Sequence, residues 1–91
     1  MTPQHEPQHE PDRQRFTLPT TPVSVLDYSL SAGRVVFTHT GVPPAYQGQG
    51  LAAKLVEAGL QWAQAEGLKV QPACSYVHVY IQRHPEWQHL V

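Results

Sequence analysis

Between Val23 and Val42 the chain reads as two runs of eight residues dominated by β-branched, aromatic and aliphatic side chains, Val23 to Leu30 and Val35 to Val42, around Ser31-Ala32-Gly33-Arg34. Two such runs joined by a short glycine-containing turn predict an antiparallel hairpin. A shorter run, Gln14 to Leu18, predicts an earlier strand that Pro19 and Pro22 would keep at a sheet edge, because proline cannot donate to a ladder. Pro43 and Pro44 end the second hairpin strand for the same reason and splay it from its neighbour. From Leu51 the period changes. Leu51, Leu55, Ala58 and Trp62, with Ala52, Val56 and Ala63 beside them, follow the i, i+3, i+4, i+7 spacing of an amphipathic helix, and Gly67 stands where a C′ glycine would stop it. Leu68 to Cys74 predicts a third strand, parallel to the one before the helix if the crossover has the usual right hand. Tyr76 to His84 predicts a short second helix, ended before Pro85. The expected fold is therefore α/β (α+β): a mixed antiparallel and parallel sheet, a long helix after a glycine-rich loop, and a short C-terminal helix.

Residues 3–11 read PQHE-PQHE-P and hold nothing apolar to bury, so residues 1–13 are expected to form a disordered tail and residues 14–91 a single domain. His5 and His9, with Glu6 and Glu10, are metal-ligating types, but a flexible tail loses ordering entropy at every ligand; no metal site is expected.

Composition narrows the function classes. With 91 residues, 41% hydrophobic and 14% charged, the chain is one small domain that buries roughly 60–65% of its unfolded surface. A ligand or second subunit that binds only the folded form would add stability, and a monomer or weak homodimer is expected. Net charge is −1 and the six basic residues are scattered, so there is no basic stripe and nucleic acid is not an expected partner. No segment approaches the ~20 apolar residues of a membrane span, and the N-terminus lacks the apolar centre of a signal peptide. A soluble, cytoplasmic protein with no membrane partner is expected. Cys74 is the only cysteine, which excludes an intramolecular disulfide and predicts a free thiol in a reducing compartment.

The candidate chemistry lies at Tyr46-Gln47-Gly48-Gln49-Gly50. Strand, glycine loop, helix and strand make a βαβ unit, and an anion is favoured where free backbone N–H groups and the helix dipole meet at the helix start. A dinucleotide fingerprint would need a third glycine where Ala53 stands, and a nucleotide P-loop would need Gly-Lys-Ser/Thr. Neither is present.

What fits is Gln/Arg-x-x-Gly-x-Gly/Ala, here Gln47-Gly48-Gln49-Gly50-Leu51-Ala52 after a strand ending in Val42. Together with His39-Thr40-Gly41-Val42, Pro72-Ala73-Cys74 and His84-Pro85-Glu86-Trp87, this order of motifs resembles the GNAT superfamily of acyl-CoA-dependent N-acetyltransferases, and more closely its short GNAT-like members, over about Val23 to Trp87. The resemblance implies a minimal GNAT-like fold in which backbone N–H groups from Gln47 to Ala52 (Gln47, Gly48, Gln49, Gly50, Leu51, Ala52) hold the pyrophosphate of acetyl-CoA. It also implies that the edge at Val42 pairs with the pantetheine arm like an added strand. Gln47 stands where many such proteins have arginine, so the site would lean on backbone and dipole rather than formal charge.

The same resemblance puts Tyr80 where a tyrosine protonates the departing coenzyme A thiolate; the other reading is a tyrosine packing its ring against the sheet. Cys74 is either a nucleophile forming an acyl-enzyme or a small buried residue. His84, near a helix end, would reach the coenzyme's phosphates. His39 alternates with Val35 and Phe37 and so is expected on their apolar face as a hydrogen-bonded sheet histidine, His78 faces solvent, and Tyr76 is structural. Gly41 departs from the resemblance: GNAT-like proteins carry Asp or Glu there, suited to deprotonating an ammonium, and glycine cannot do that work. The chain is also shorter than a full GNAT domain and lacks the early helices that wall the acceptor site, so an acceptor pocket is expected to be open or completed by a partner. Two functions follow: an N-acetyltransferase acting on an unknown amine or protein acceptor, or a non-catalytic acyl-CoA-binding module with acetylation of Cys74.

Overall fold

In the computed structural model, which describes residues 6–91, the hairpin forms where the pattern places it. Strands β3 (Ser24–Ser31) and β4 (Arg34–Gly41) pair antiparallel. The turn residues Ala32 and Gly33 both have positive φ, 36° and 80°, the twist that suits right-handed strands. Helix α1 (Leu51–Ala65) ends in a Schellman motif: Gly67, φ 68°, donates its N–H to Gln64 O, and Leu68 donates to Ala63 O. Strand β5 (Lys69–Pro72) then lies parallel to β4, and helix α2 (Ser75–Arg83) follows. Pro85–Leu90 forms a 3-10 turn. This is the mixed α+β architecture expected from the sequence, and no helix among the described residues is long and apolar enough to cross a membrane.

Both helices lie on one face of the sheet, against Leu26, Tyr28, Val35 and Phe37. On α1 the deepest residues are Leu51, Leu55, Val56, Gly59, Leu60 and Ala63, while Ala52, Ala58 and Trp62 flank the stripe half-buried. Gly59 sets the closest approach of helix to sheet. A Cβ there would stand 2.9 Å from Leu26 Cδ2 and 3.0 Å from the Phe37 ring, so only glycine lets the helix settle this close.

The N-terminal segment corrects two expectations. Gln8–Glu10 is not part of a tail; it is a strand, β1, paired antiparallel with β2 (Arg15–Leu18), and Pro11–Arg13 is a 3-10 turn between them. Because β1 covers it, β2 is not an edge: the sheet order is β1-β2-β3-β4-β5. Pro19 lies just past the end of β2 and removes no ladder donor. What docks β1 is one imidazole. His9 stacks on Phe16 at 4.2 Å, meets the edge of Trp62 at 4.8 Å, and its Nε2 hydrogen-bonds Tyr28 Oη at 2.6 Å. Arg15 Nε donates to Glu10 Oε1 at 2.7 Å beside it. A search for aliphatic residues misses such a dock, because the apolar surface is supplied by three aromatic rings elsewhere in the chain. His5 lies outside the described residues.

Burial pushes the His9 imidazole below its ordinary value of 6.5, against a smaller opposing pull from the Glu66 carboxylate. The undocked strand therefore binds a proton more readily than the docked one. The contribution of His9 to docking is complete above about pH 6.5 and is lost as pH falls through the window below it. Hydrogen exchange of the β1 amides at pH 7.5 and pH 5.5 should show protection that drops at the lower pH, with β3 and β4 unchanged. Equal protection at both would refute the dependence on neutral His9.

A β-bulge decides which side chains meet. Tyr28 pairs with Phe37, yet the next residue back, Asp27, pairs with His39, so Thr38 is the extra residue, its Oγ1 donating to Asp27 O at 3.3 Å. The bulge reverses the alternation. Thr40, paired with Leu26, now shares the helix-covered face with Phe37, whereas His39 and Gly41, paired with Asp27 and Val25, project from the opposite face. The expectation that His39 shares a face with Val35 and Phe37 is thereby corrected; His39 is exposed.

Candidate functional site

Strand β5 stops pairing early. Its ladder with β4 runs from Arg34↔Lys69 to Phe37↔Pro72, and the last link is the Cys74 N–H donating to Phe37 O at 2.8 Å. From Thr38 to Gly41 the outer edge of β4 has no β5 partner. The chain then leaves the sheet through Pro43 and a 3-10 turn, Pro44–Tyr46, and bends back at Gln47 to enter α1. Gly48 and Gly50 hold the two left-handed positions of that return, φ 84° and 78°, which residues with a Cβ rarely adopt.

The result is a cavity of about 480 Å³ between the end of β4, the glycine loop and the first turns of α1 and α2. Thr40, Val42, Tyr46, Gln47, Gly48, Gly50, Leu51, Ala52 and Tyr76 line it. The bulge is what turns Thr40 toward it. No side chain caps α1, and no acid stands in its first turn. The first intrahelical bond runs from Lys54 N–H to Gly50 O, so the N–H groups of Leu51, Ala52 and Ala53 have no helical partner. That end of the helix carries the positive pole of the dipole and favours an anion. Among the lining residues there is no cation, and Gln47 does not substitute for one: its Nε2 donates to Val42 O at 3.1 Å, tying the strand exit to the loop.

The remaining site residues fall in different places. Of those expected to hold the pyrophosphate, Gln49 is exposed and does not line the cavity, while the other five do. His84 stands at the far end of α2, about 12 Å along the helix from Tyr76 by the rise per residue. Its Nδ1 donates to Tyr80 O at 2.8 Å and its ring stacks on Tyr80 at 3.9 Å, so it is placed to close the helix rather than to meet phosphate.

Tyr80 turns toward α1. Its hydroxyl donates to Glu57 Oε1 at 2.6 Å, the oxygen that also accepts from Trp87 Nε1 at 3.3 Å. Burial, then the hydrogen bond and charge of Glu57, push the Tyr80 phenol well above its ordinary value of 10.0. This group locks α1, α2 and the C-terminal turn together, away from the cavity lining. Of the two α2 tyrosines, the one that lines the cavity is Tyr76, one turn earlier and 41% exposed. Tyr76 thus lies at the cavity and not in the structural place expected for it; the signal that distinguishes it from Tyr80 is the half-buried acid at Glu57 on the facing helix.

Cys74 precedes the first turn of α2, with its Sγ 3.4 Å from Thr40 Oγ1. Burial raises its thiol, but hydrogen bonding from Thr40 and from the backbone at Val77, Tyr76 and Thr40 outweighs it and leaves the thiol below its ordinary value. Cys74 is thus joined to the cavity through Thr40, although it is not itself part of the lining. His78 is exposed, as expected.

Residues 15–90 match the model of the GCN5-related N-acetyl-transferase family. Protein NATD1 of Gallus gallus and Protein NATD1 of Homo sapiens are each 34% identical over 87 residues, covering 91% of this chain and 79% and 77% of theirs. A GCN5-like protein of Staphylococcus aureus solved by NMR in solution superposes with a TM-score of 0.78 over 98% of this chain and 89% of its own, at 20% identity, and so shares the fold. The family match takes in β2 through the C-terminal turn, and with it the parted strands, the glycine return and the uncapped helix start. On that extent of agreement, the chain belongs to the GCN5-related N-acetyltransferase family.

Proposed function

We propose that the chain binds acetyl-CoA in the cavity at the start of α1 and transfers the acetyl group to an amine of a small molecule or protein. The observation that carries this reading is the juxtaposition of an uncapped helix N-terminus, entered through two left-handed glycines, with an unpaired strand edge leading to it. The backbone N–H groups at Gly48, Gly50, Leu51 and Ala52 would hold the pyrophosphate oxygens, the glycines allowing close approach. The pantetheine amides would pair with the free edge of β4 between Thr38 and Val42. The thioester would then lie near Thr40 and Tyr76. A backbone N–H near Val42 would polarise its carbonyl, and the Tyr76 hydroxyl would return a proton to the leaving thiolate.

A second reading is favoured by Cys74, whose thiol is lowered and hydrogen-bonded to the cavity-lining Thr40. In it, Cys74 takes the acetyl group from the coenzyme, and the chain carries it without efficient release. A reducing cytoplasmic setting would keep that thiol free.

Acetyl-CoA is expected to raise the melting temperature, and coenzyme A release is expected to continue in the presence of amine acceptors. Intact-protein mass spectrometry after incubation with acetyl-CoA alone separates the routes: direct transfer leaves the mass unchanged, whereas the Cys74 route adds one acetyl group that Cys74→Ala abolishes. Absence of any thermal shift would remove the coenzyme site itself.

A further inference from the structure

The face of the sheet opposite the helices carries a row of polar groups that the coenzyme cavity does not use. Across the strands, Glu10 pairs with Arg15, Arg15 with Asp27, and Asp27 with His39. Directly opposed residues on one face stand within ~5 Å at Cβ, near enough to act on a shared ligand. Arg15 is engaged by Glu10 through the 2.7 Å ion pair, and among the described residues no ion pair engages Asp27. The row ends at His39, on the last strand before the unpaired edge.

His39 leans along its strand toward Gly41. A Cβ at residue 41 would meet His39 Nε2 at 3.0 Å and Val25 Cγ2 at 3.6 Å, so the imidazole nitrogen lies over a position with no side chain, beside a small apolar patch. Imidazole is the side chain suited to exchanging protons near neutral pH. A carboxylate next to it attracts a cation, and the bare backbone at Gly41 leaves room for one.

We propose that Asp27 and His39 receive the acceptor: an unhindered primary ammonium is held by the Asp27 carboxylate and gives a proton to His39 Nε2. This inference rests on the reading of the cavity as the acetyl-CoA site. The pantetheine would lie along the β4 edge from which His39 projects, so coenzyme and amine approach the edge from opposite faces. His39 takes one proton from the ammonium and passes it to solvent. The freed nitrogen lone pair forms the C–N bond to the thioester carbon, the C–S bond breaks with its electron pair going to sulfur, and the second proton lost by nitrogen ends on that sulfur through Tyr76. The products are an amide and coenzyme A.

The test uses the full chain with acetyl-CoA and two acceptors, spermidine and an N-capped lysine peptide. His39→Ala should lower kcat/KM by roughly 10²–10⁴-fold, the usual worth of a positioned base, while the acetyl-CoA thermal shift stays as in wild type. Adding Gly41→Glu to His39→Ala should recover at least about tenfold of that loss, because the new carboxylate extends into the space the imidazole leaves. Asp27→Asn should raise KM more than it lowers kcat. Wild-type turnover by His39→Ala would overturn the proposal. So would a wild-type chain that binds acetyl-CoA yet acetylates neither amine, and that result would leave the coenzyme site standing. Loss of the thermal shift in wild type would instead bring down the coenzyme site, and this proposal with it.

Discussion

Tyr76→Phe is expected to slow coenzyme A release by roughly 10²–10⁴-fold, the range for loss of a positioned general acid, with the acetyl-CoA thermal shift preserved. Tyr76 is 41% exposed and lines the cavity, so its hydroxyl is available to a leaving sulfur. Tyr80→Phe is the informative companion. The Tyr80 hydroxyl is committed to Glu57 at 2.6 Å, and burial and that carboxylate make it a weaker acid than a free phenol. A weaker acid transfers its proton less readily to a thiolate. Its removal should cost about 1–2 kcal/mol of stability, the worth of a half-exposed hydrogen bond to a charged acceptor, and change turnover less than threefold. Denaturant unfolding and steady-state kinetics on both variants decide the matter. If Tyr80→Phe stopped turnover and Tyr76→Phe did not, the acid would be Tyr80, and α2 would have to turn when coenzyme binds.

Gly50→Val is expected to abolish the stabilisation by acetyl-CoA. At 100-fold excess over the dissociation constant that stabilisation is about 2.7 kcal/mol, so its disappearance is readily measured. Two effects act together. Gly50 has φ 78°, where a branched residue is strained by about 1–3 kcal/mol. The substituted Cβ also meets no atom of the protein within 4 Å. Its side chain would project into open space at the cavity rim, where the pyrophosphate would sit. The variant should therefore fold with a lower melting temperature that acetyl-CoA does not raise. Gly67→Ala provides the control: Gly67 has a similar φ of 68° but caps the far end of α1, so the variant should lose stability and keep the ligand shift. A Gly50→Val protein that is folded and still stabilised by acetyl-CoA would place the coenzyme elsewhere.

Both expected results concern residues that the chain order alone treats unevenly. Gly48 and Gly50 were legible because the constraint is local: a return between a strand and a helix needs left-handed backbone, and glycine is the residue that adopts it without strain. The same holds for the hairpin turn at Ala32-Gly33, for Gly67 as the helix stop, and for the apolar stripe of α1. Each is written within one element, where spacing reports the face and one residue type reports the backbone angle.

Tyr80 and Tyr76 were not separable in that way. They stand four residues apart on one helix, which puts them on neighbouring turns of nearly the same face. Only the packing of α1 against α2 decides that Glu57 takes one hydroxyl and leaves the other to the cavity.

By itself, then, the sequence determined the order of strands and helices from β2 onward, the glycine loop between strand and helix, and the family, because periodicity, turn chemistry and motif order are properties of short stretches of chain. The tertiary structure alone decided three things. One extra residue, Thr38, turned Thr40 toward the cavity and His39 to the opposite face, because a bulge is set by the register between two strands and leaves no mark on either. The second PQHE copy holds an ordered strand, Gln8–Glu10, because His9 found Phe16, Tyr28 and Trp62 on three separate elements, an apolar surface invisible in its own neighbourhood. His84, expected to reach the coenzyme's phosphates, is drawn instead to the backbone carbonyl of Tyr80. A half-buried carbonyl such as that of Tyr80 costs free energy if left without a donor, and the neighbouring imidazole is held to satisfy it.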